Sequence, residues 1–413
     1  MPGHADPAPG GRWLSIVGIG EDGVAGLSLN ARTLVSDAEV VFGGARHLAL
    51  AASLVRGEAR PWPSPFDVAG VAALRGRRVC VLASGDPFLY GVGATLARHV
   101  AAEEMRVVPA PSAFSLAAAR LGWPLADTVQ LSVHGRPLDL VRPHLQPGAR
   151  LLLLTADGDG PARLAALLAD TGFGASRVVV LEALGGPRER VRECLAAAAE
   201  FGAVDPLNVV AIAVAAGEGA RVLPRAPGLP DALFDNDGQL TKREIRAVTL
   251  SALAPRRGEL MWDVGAGAGS VAIEWMLADP SLAAIAVEAR PDRAARIRAN
   301  AAALGVPGLA VVEGTAPAAL AGLPAPDAVF VGGGASEAGV LDAVVAALRP
   351  GGRLVVNAVT LETEAVLIAR HADLGGALVR LAVARAAPVA GMTGWRPAMP
   401  VTQWTWEKPW RTP

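Results

Sequence analysis

The sequence predicts two consecutive α/β domains, the first of them built from two lobes. Short apolar strands alternate with stretches of helical spacing along the 413 residues, a pattern typical of sheets that are covered by helices. The alternation breaks in the proline- and glycine-rich residues 223–240, which we interpret as a linker. We therefore expect a first domain at 12–222, with lobes at about 12–122 and 123–222, and a second domain at 241–413.

The composition restricts the possible partners and compartments. A formal net charge of −1 gives no general attraction to nucleic acid or to an anionic membrane, and we expect neither partner. Residues 1–11 are rich in proline and glycine and lack an apolar signal core, which predicts a disordered start and a cytoplasmic protein. The cysteines, Cys80 and Cys194, lie far apart in apolar segments and predict free thiols, and we expect no metal site.

In the first domain, loops of small and polar residues follow the predicted strands. The strand Trp13–Val17 leads into a loop that starts at Gly18, and the strand Arg77–Ala83 leads into Ser84-Gly85-Asp86. Ligands of mainly parallel sheets bind beyond the carboxyl ends of the strands, so we expect a binding site at these loops. The second lobe is predicted from further strands at 129–133, 150–154, 178–181 and 208–214.

Four motifs of the first domain resemble one enzyme family. They are Val17-Gly-Ile-Gly20, Ala83-Ser-Gly85-Asp86-Pro87, Pro111-Ser112 and Leu131-Ser-Val-His134-Gly-Arg136. Together they resemble the class III tetrapyrrole methyltransferases and, more narrowly, the C5-methylating enzymes of cobalamin biosynthesis. The resemblance covers residues 12–222 and implies the two-lobed tetrapyrrole methylase fold, with S-adenosylmethionine (SAM) held in the cleft between the lobes. It implies cofactor contacts at Gly18, Asp86, Leu89, Ser112 and Ala113.

Simpler interpretations of the first-domain residues stay open at this point. Gly18 could be a turn glycine, and Asp86 could initiate a turn, because Asp-Pro favours one. His47 and His134 are as compatible with a solvated or core position as with a substrate contact. Tyr90, the single tyrosine of the chain, is expected to be a packed residue rather than a ligand contact.

The second domain opens on a predicted helix. Thr241 and Glu244 have the spacing of a capping box, in which the hydroxyl and the carboxylate each satisfy a backbone amide at the start of a helix. One apolar helical face is then expected from Ile245, Val248, Ala252 and Leu253.

A glycine-rich turn follows this helix and is the most informative motif of the chain. The apolar strand that contains Asp263 runs into Gly265-Ala-Gly267-Ala-Gly269 and then into a helix-like stretch. Such a turn brings backbone amides close to a ligand, and its spacing differs from the G-x-G-x-x-G of nicotinamide-binding proteins. Glu288 ends the next strand, 19 positions after Gly269 (288 − 269), where a carboxylate can accept hydrogen bonds from both ribose hydroxyls. The alternative for Glu288 is a charge at the start of the next helix.

Further strands complete the predicted second sheet. We expect three of them at 310–313, 327–331 and 350–357, and an antiparallel closing strand at 400–406.

The pattern D-x-G-x-G-x-G resembles the cofactor loop of class I SAM methyltransferases, which implies a Rossmann-like fold. Leu240-Thr-Lys-Arg-Glu-Ile-Arg246 and the strand before Gly267 are similar to the C15-methylating and decarboxylating enzymes of the same pathway, over about 231–413. The family often has a hydroxyl residue at the position of Ala268. The resemblance implies SAM contacts at Thr241, Gly265, Ala266, Gly267, Ala268, Gly269, Glu288 and Ala316.

The presence of both halves in one chain resembles the fused precorrin methyltransferases. It implies two SAM sites, methylation of precorrin-6Y at C5 and C15, and loss of carbon dioxide from the ring C acetate, giving precorrin-8X. It also implies self-association. The substrate carries many carboxylates, which suit arginine, and we expect contacts from Arg46, Arg136, Arg243 and Arg246, although each could be an ordinary solvated arginine.

Two other classes of function remain open from the sequence. One is a SAM methyltransferase that acts on a cobalt-precorrin, RNA or protein, because both folds serve other substrates. The other is a tetrapyrrole-binding scaffold in which one half is inactive.

Overall fold

The computed structural model describes residues 11–410, so ten of the eleven residues of the predicted disordered start lie outside the described part. The chain divides into two compact units. The first comprises the chain up to Arg136 together with His144–Arg221, and the second comprises Pro137–Pro143 and the chain from Val222. The division between the two units thus falls between Arg221 and Val222, and the segment 137–143 belongs to the second unit.

The first lobe of the first unit is a parallel sheet. Its strands are β1 Leu14–Ile19, β2 Val40–Gly43, β3 Glu58–Pro61, β4 Val79–Ser84 and β5 Met105–Val108. They lie in the order β3-β2-β4-β1-β5, and every pair is parallel. The helices are α1 Leu29–Ser36, α2 Ala45–Leu50, α3 Ala69–Ala72, α4 Val92–Leu96 and α5 Ala113–Leu121.

The second lobe has a mixed sheet, in which parallel and antiparallel strand pairs both occur. Its elements are β6 Thr128–Ser132, β7 Arg150–Leu154, α6 Gly160–Asp170, β8 Arg177–Glu182, β9 Arg190–Leu195 and β10 Asn208–Ala213. Only β6 and β7 pair in parallel, whereas β10 runs antiparallel to β7 and β8, and β9 runs antiparallel to β8. The link between β8 and β9 is residues 183–189, which is too short for the crossover that parallel strands need.

The second unit contains a seven-stranded sheet, which includes the six strands that the sequence predicts and one further strand at Ala377–Leu381. Its strands are β11 Leu260–Val264, β12 Ala283–Glu288, β13 Ala310–Glu313, β14 Ala328–Val331, β15 Arg353–Ala358, β16 Ala377–Leu381 and β19 Val401–Glu407. A separate hairpin consists of β17 Ala384–Val389 and β18 Met392–Pro397. The helices are α7 Arg243–Leu253, α8 Ser270–Ala278, α9 Pro291–Ala303, α10 Val340–Ala347 and α11 Leu361–Leu374. The order is β13-β12-β11-β14-β15-β19-β16, in which β19 is antiparallel to both neighbours, as expected for the closing strand.

The predicted linker at 223–240 is instead a packed part of the second unit. Its buried apolar side chains join the core that lies under α7 and α8, and they are Leu223, Leu229, Phe234 and Leu240. The Glu274 carboxylate on α8 accepts hydrogen bonds from the backbone amides of Gly228 and Leu229 at 2.6 and 2.9 Å. The proline- and glycine-rich segment is therefore an ordered stretch that packs on the helices, and it is not a linker.

Arg246 is the counterion that allows Glu274 to be buried. Its guanidinium is fully buried on α7, donates to the Glu274 carboxylate and to the carbonyls of Leu229 and Thr241, and lies 4.8 Å from the Phe234 ring centre. The expected substrate contact at Arg246 is therefore wrong, because its donors are used inside the protein.

The capping-box prediction is also wrong. α7 begins at Arg243, its N-cap is Lys242, and no side chain caps it. Glu244 lies on the surface, where it pairs with Arg385. The predicted apolar face is partly wrong as well, because Val248 is exposed whereas Thr249 and Leu250 are buried.

The strand before the glycine-rich turn ends in a buried acid. Asp263 accepts a hydrogen bond from the Ala272 amide at 3.1 Å through Oδ2, while its Oδ1 has no partner among the described residues. Burial and, to a smaller extent, the charge of Glu288 raise the pKa of Asp263 to about 7.

Among residues 11–410, no helix is long and apolar enough to cross a membrane.

Replacing Glu274 by Ala is expected to destabilise the second unit by about 3–5 kcal/mol, because it removes the buried partner of Arg246 and leaves only the partly exposed Asp231 as its counterion. The measurement is urea unfolding of the full chain, with the second unit followed by hydrogen exchange. The matched control is Asp342→Asn, which breaks the exposed ion pair with Arg370 and should cost less than about 1 kcal/mol. Equal losses in the two variants would contradict this role of the buried pair.

The stability of the second unit should also fall as the pH rises, because the buried Asp263 carboxyl then loses its proton. The carboxyl has a pKa of about 7 in the folded chain, compared with an ordinary value of 3.8 for an aspartate side chain. Because the folded form binds the proton more tightly, the contribution of Asp263 is complete below pH 4, declines up to about pH 7 and is lost above it. Unfolding of wild type and Asp263→Asn across this range tests it, and parallel pH profiles would refute it.

Candidate active sites

The second unit has a cavity at the carboxyl edge of its parallel strands. The cavity has a volume of about 570 Å³. Of the residues predicted to contact a cofactor here, six line it: Thr241, Gly265, Ala266, Gly267, Glu288 and Ala316. The loop after β14, Gly332–Gly334, forms the facing wall. The sequence-predicted turn and the acid at the end of β12 are thus brought together in one cavity.

The glycines of the turn are required by conformation and by close contact. Gly265, Gly267 and Gly269 have φ values of 71°, 60° and 75°, which other residues rarely adopt. A Cβ on Gly265 would lie 2.8 Å from the Gly333 carbonyl oxygen, and a Cβ on Gly267 would lie 3.0 Å from that of Gln239. The loops can approach each other only because these side chains are absent.

Glu288 is held at the cavity wall by the turn itself. Its Oε2 accepts from the Gly267 amide at 2.9 Å and its Oε1 accepts from the Arg290 amide at 3.0 Å. The residue is 5% exposed. Each carboxylate oxygen retains acceptor capacity, so the pair of oxygens can receive two hydroxyl groups of a nucleoside.

Two predicted contacts of the turn do not line the cavity. Ala268 is buried in the core, and its carbonyl accepts from the Asn300 side chain at 3.0 Å. Gly269 precedes α8, and a Cβ there would lie 2.8 Å from Ile297. Both residues shape the turn, so a hydroxyl at the position of Ala268 would face the core rather than the cavity.

The cations at this cavity differ from the predicted ones. Arg243 is exposed but does not line the cavity, and Arg246 is buried away from it. The lining cations are Lys242, Arg293 and Arg385. Arg293 is paired with Asp237 at 2.8 Å, and this pair lowers the pKa of the Asp237 carboxyl to about 2. Arg385 lies on the hairpin β17–β18. No feature of the sequence predicts that this hairpin lies near the glycine-rich turn.

The first unit has a second cavity, between its two lobes. Its volume is about 520 Å³. The predicted residues that line it are Arg46, Asp86, Leu89, Ser112, Ala113 and Arg136. Gly18 does not line it, because a Cβ there would lie 1.9 Å from the Gly85 carbonyl oxygen and 2.6 Å from the Ala110 nitrogen. Gly18 is therefore needed for the packing of the loops behind the cavity wall.

Local hydrogen bonds set the loops of this cavity. The Asp86 carboxylate accepts from the Phe88 amide at 2.9 Å, and Ser112 caps α5 by accepting from the Ser115 amide at 3.0 Å. On the second lobe, Thr155 donates to the Asn208 side chain at 2.7 Å, and both residues line the cavity. Asn208 was missed from the sequence, because its strand β10 runs antiparallel and contributes its first residue to this edge.

A charged cluster lies beside the first-unit cavity. Arg46 pairs with Glu21 and donates to Ser84 at 2.8 Å, and the Nε2 atom of His47 lies 2.8 Å from both Arg46 and Ser84. Burial and the neighbouring Arg46 charge lower the pKa of His47 to about 4. His47 is thus neutral near pH 7 and acts as an acceptor for Arg46 or Ser84, and it stands behind the lining residues.

Tyr90 is not the packed residue that the sequence predicts. It is 48% exposed, lines the cavity and donates to the Gln130 carbonyl at 3.3 Å. The guanidinium carbon of Arg136 lies 5.9 Å from the centre of its ring. His134 lines the cavity as well and contacts the Thr155 carbonyl at 3.3 Å.

Both cavities fit a SAM molecule by the chemistry of their walls. The second-unit cavity offers a glycine turn whose close contact with the loops at Gln239 and Gly333 a Cβ would disturb, and a buried carboxylate beside it. The first-unit cavity is bordered by the backbone loops around Gly85 and Pro111, where a Cβ on Gly85 would lie 2.8 Å from the Pro111 carbonyl oxygen. No group of three or more potential metal ligands occurs within residues 11–410.

Two protein families match the chain in succession. The family of tetrapyrrole (corrin/porphyrin) methylases matches residues 14–200, and the precorrin methyltransferase domain family matches residues 232–408. Apart from residues 137–143, the first match falls in the first unit, and the second match falls in the second unit.

Full-length relatives extend over both units. A protein from Sinorhizobium sp., named precorrin-6Y C(5,15)-methyltransferase [decarboxylating], is 63% identical over 98% of this chain and 98% of its own length. A protein of the same name from Mycobacterium tuberculosis is 42% identical over 95% of this chain and 99% of its own length. The solved C-terminal domain of precorrin-6Y C5,15-methyltransferase from Rhodobacter capsulatus is 49% identical, covers 45% of this chain and all of that domain, and has a TM-score of 0.43.

The expected fusion of two methyltransferase types is confirmed by these matches, which span the first unit, the second unit and nearly the whole chain. The chain belongs to the family of decarboxylating precorrin-6Y C5,15-methyltransferases.

Proposed function

We propose that the chain methylates precorrin-6Y at C5 and C15 and removes carbon dioxide from the ring C acetate, giving precorrin-8X, with one SAM bound in each cavity. The first-unit cavity serves C5, and the second-unit cavity serves C15 and the decarboxylation. The observation that carries this proposal is the presence of two separate cavities in a chain whose halves match two methylase families. Self-association of the chain stays a prediction.

SAM supplies each methyl group from its sulfonium, which departs with the electron pair of the broken sulfur–carbon bond. The chain's task is to align the attacking ring carbon with that methyl group and to exclude water. In the second unit, Glu288 would orient the nucleoside through its ribose. The glycine turn would let the backbone approach the nucleoside closely, while its amides at Gly265 and Gly267 stay bonded within the protein. In the first unit, the loops at Asp86 and Ser112 have the same task.

The reaction needs no protein nucleophile paired with a base, and the contact of Ser84 with His47 at the first-unit cavity is part of the Arg46 cluster. The attacking carbon belongs to an electron-rich macrocycle. When the acetate loses carbon dioxide, its electron pair passes into the same macrocycle, which then takes up a proton. The lining cations Lys242 and Arg385 would bind carboxylates of the substrate rather than take part in bond breaking.

Filling one cavity at a time should remove one SAM site and one methylation. Gly267→Trp and Ala113→Trp each replace a small lining residue by a bulky one. Calorimetry of SAM binding should give two sites for wild type and one for each variant. Mass spectrometry of the precorrin-6Y product should show no C15 methylation or decarboxylation with Gly267→Trp, and no C5 methylation with Ala113→Trp.

The control for both variants is Ala321→Trp, at an exposed position outside the cavities, which should keep two sites. A single SAM site in wild type would contradict the two-site proposal. Two sites without any change in the mass of precorrin-6Y would contradict the substrate.

Glu288→Gln should weaken SAM binding in the second unit about 10- to 100-fold, since it removes a charged hydrogen-bond acceptor. The first-unit site should keep its affinity. The matched control is Glu313→Gln, at the residue paired with Glu288 on β13, which is exposed and does not line the cavity. Titration of both variants with SAM decides the matter, and an unchanged second-unit affinity in Glu288→Gln would exclude the ribose contact.

A further inference from the structure

The hairpin β17–β18 stands apart from the seven-stranded sheet. Within the described chain, its two strands pair only with each other. It is inserted between β16 and β19 at the pair Leu381–Val401. Because Thr402 pairs with Ala358, the last residue of β15, the hairpin rises from the carboxyl edge of the sheet, where the glycine turn and Glu288 also lie.

The base of this hairpin forms one wall of the second-unit cavity. The lining residues from this segment are Val383, Arg385, Ala398 and Met399. The more distant part of the hairpin is exposed, including Val389 at 55% and Met392 at 76%. The cavity is therefore continuous with a surface that the hairpin presents.

The register of the hairpin places two arginines side by side. Arg385 pairs with Arg396 across the strands, so the two side chains share one face. Further out on that face follow the pairs Ala387–Gly394 and Val389–Met392. Like charges directly opposite each other destabilise a strand pair, so an anion bound between the two guanidiniums would stabilise this hairpin.

Within residues 11–410, only one of the two arginines has an anionic partner. Arg385 pairs with Glu244, and both side chains are 46% exposed. Arg396 is exposed and has no hydrogen bond or ion pair among the described residues. The face therefore offers one free guanidinium and a second one that is bound by an exchangeable surface carboxylate.

We propose that Arg385 and Arg396 form a carboxylate clamp for the tetrapyrrole, an inference that rests on the proposed function. An acid side chain of the substrate displaces Glu244 from Arg385 and bridges both guanidiniums. The apolar pairs beyond them cover part of the macrocycle. The clamp thereby positions the substrate over the second-unit cavity.

The bound carboxylate is not the one that leaves. During decarboxylation, negative charge moves from the departing carboxylate into the macrocycle. A guanidinium at that carboxylate would stabilise the ground state more than the transition state and would slow the reaction. The clamp consequently holds a retained acid side chain and contributes to substrate binding rather than to the chemical step.

The test compares the full-length Arg385→Gln, Arg396→Gln and double variants with wild type. For C15 methylation of precorrin-6Y, the KM of each single variant should rise about 10-fold and that of the double variant more, because charged hydrogen bonds are lost. The kcat, the carbon dioxide released per C15 methyl, the C5 methylation and the SAM affinity should stay within about 2-fold of wild type. Glu244→Gln should lower the KM, since the competing carboxylate is removed.

The control variant is Arg380→Gln, on β16, where the arginine pairs with Glu364 at 3.0 Å away from the cavity. It should leave the KM unchanged. A double variant with wild-type KM would overturn the clamp while leaving the proposed function intact. If wild type does not convert precorrin-6Y at all, the proposed function fails. Fluorescence titration with a polycarboxylated porphyrin then tests the clamp alone, and equal affinities of wild type and double variant would overturn it.

Discussion

The geometry of both sites depends on one constraint: strand ends at a common edge of a sheet bring together loops that are distant in sequence. In the second unit, the carboxyl ends of β11, β12 and β14 place Gly265, Glu288 and Gly333 around one cavity. The first unit obtains a similar edge from a mixed sheet, because the antiparallel β10 contributes its first residue, Asn208, beside the ends of β7 and β8. Close loop contact at these edges then requires glycine, as at Gly265 and Gly85.

The sequence predicts best those features that are local. The glycine spacing and Glu288 lie within one strand–turn–helix–strand stretch, so spacing alone determines their proximity, and the structure places them together. The same holds for six strands of the second unit, including the antiparallel closing strand, whereas the sequence analysis does not predict β16 or the hairpin β17–β18. Spacing does not reveal which residues of a turn face the cavity and which face the protein interior. For this reason Gly18 and Ala268 are expected to contact a ligand, whereas in the structure they pack against other loops and the core.

The remaining errors share a cause in contacts between distant residues. The sequence predicts Arg246 as a surface cation because it does not show that Glu274, 28 positions later, contacts it in the interior. Arg385 reaches the second cavity from a hairpin whose position depends on the pairing of β16 with β19. A net charge of −1 also conceals how the charges are distributed, because cations concentrated at one site suffice for an acidic small molecule without giving a basic protein.

The path of residues 222–240 has a consequence for how the two halves can be separated. This stretch supplies four core side chains, receives the Glu274 carboxylate on its amides, and contributes Gly238, Gln239 and Leu240 to the cavity wall. A freestanding second half that keeps these contacts would begin before Leu223, since a cut at Thr241 would expose the underside of α8 and open the cavity. The structural boundary between the two halves therefore lies before the proline-rich segment. That segment belongs to the second half.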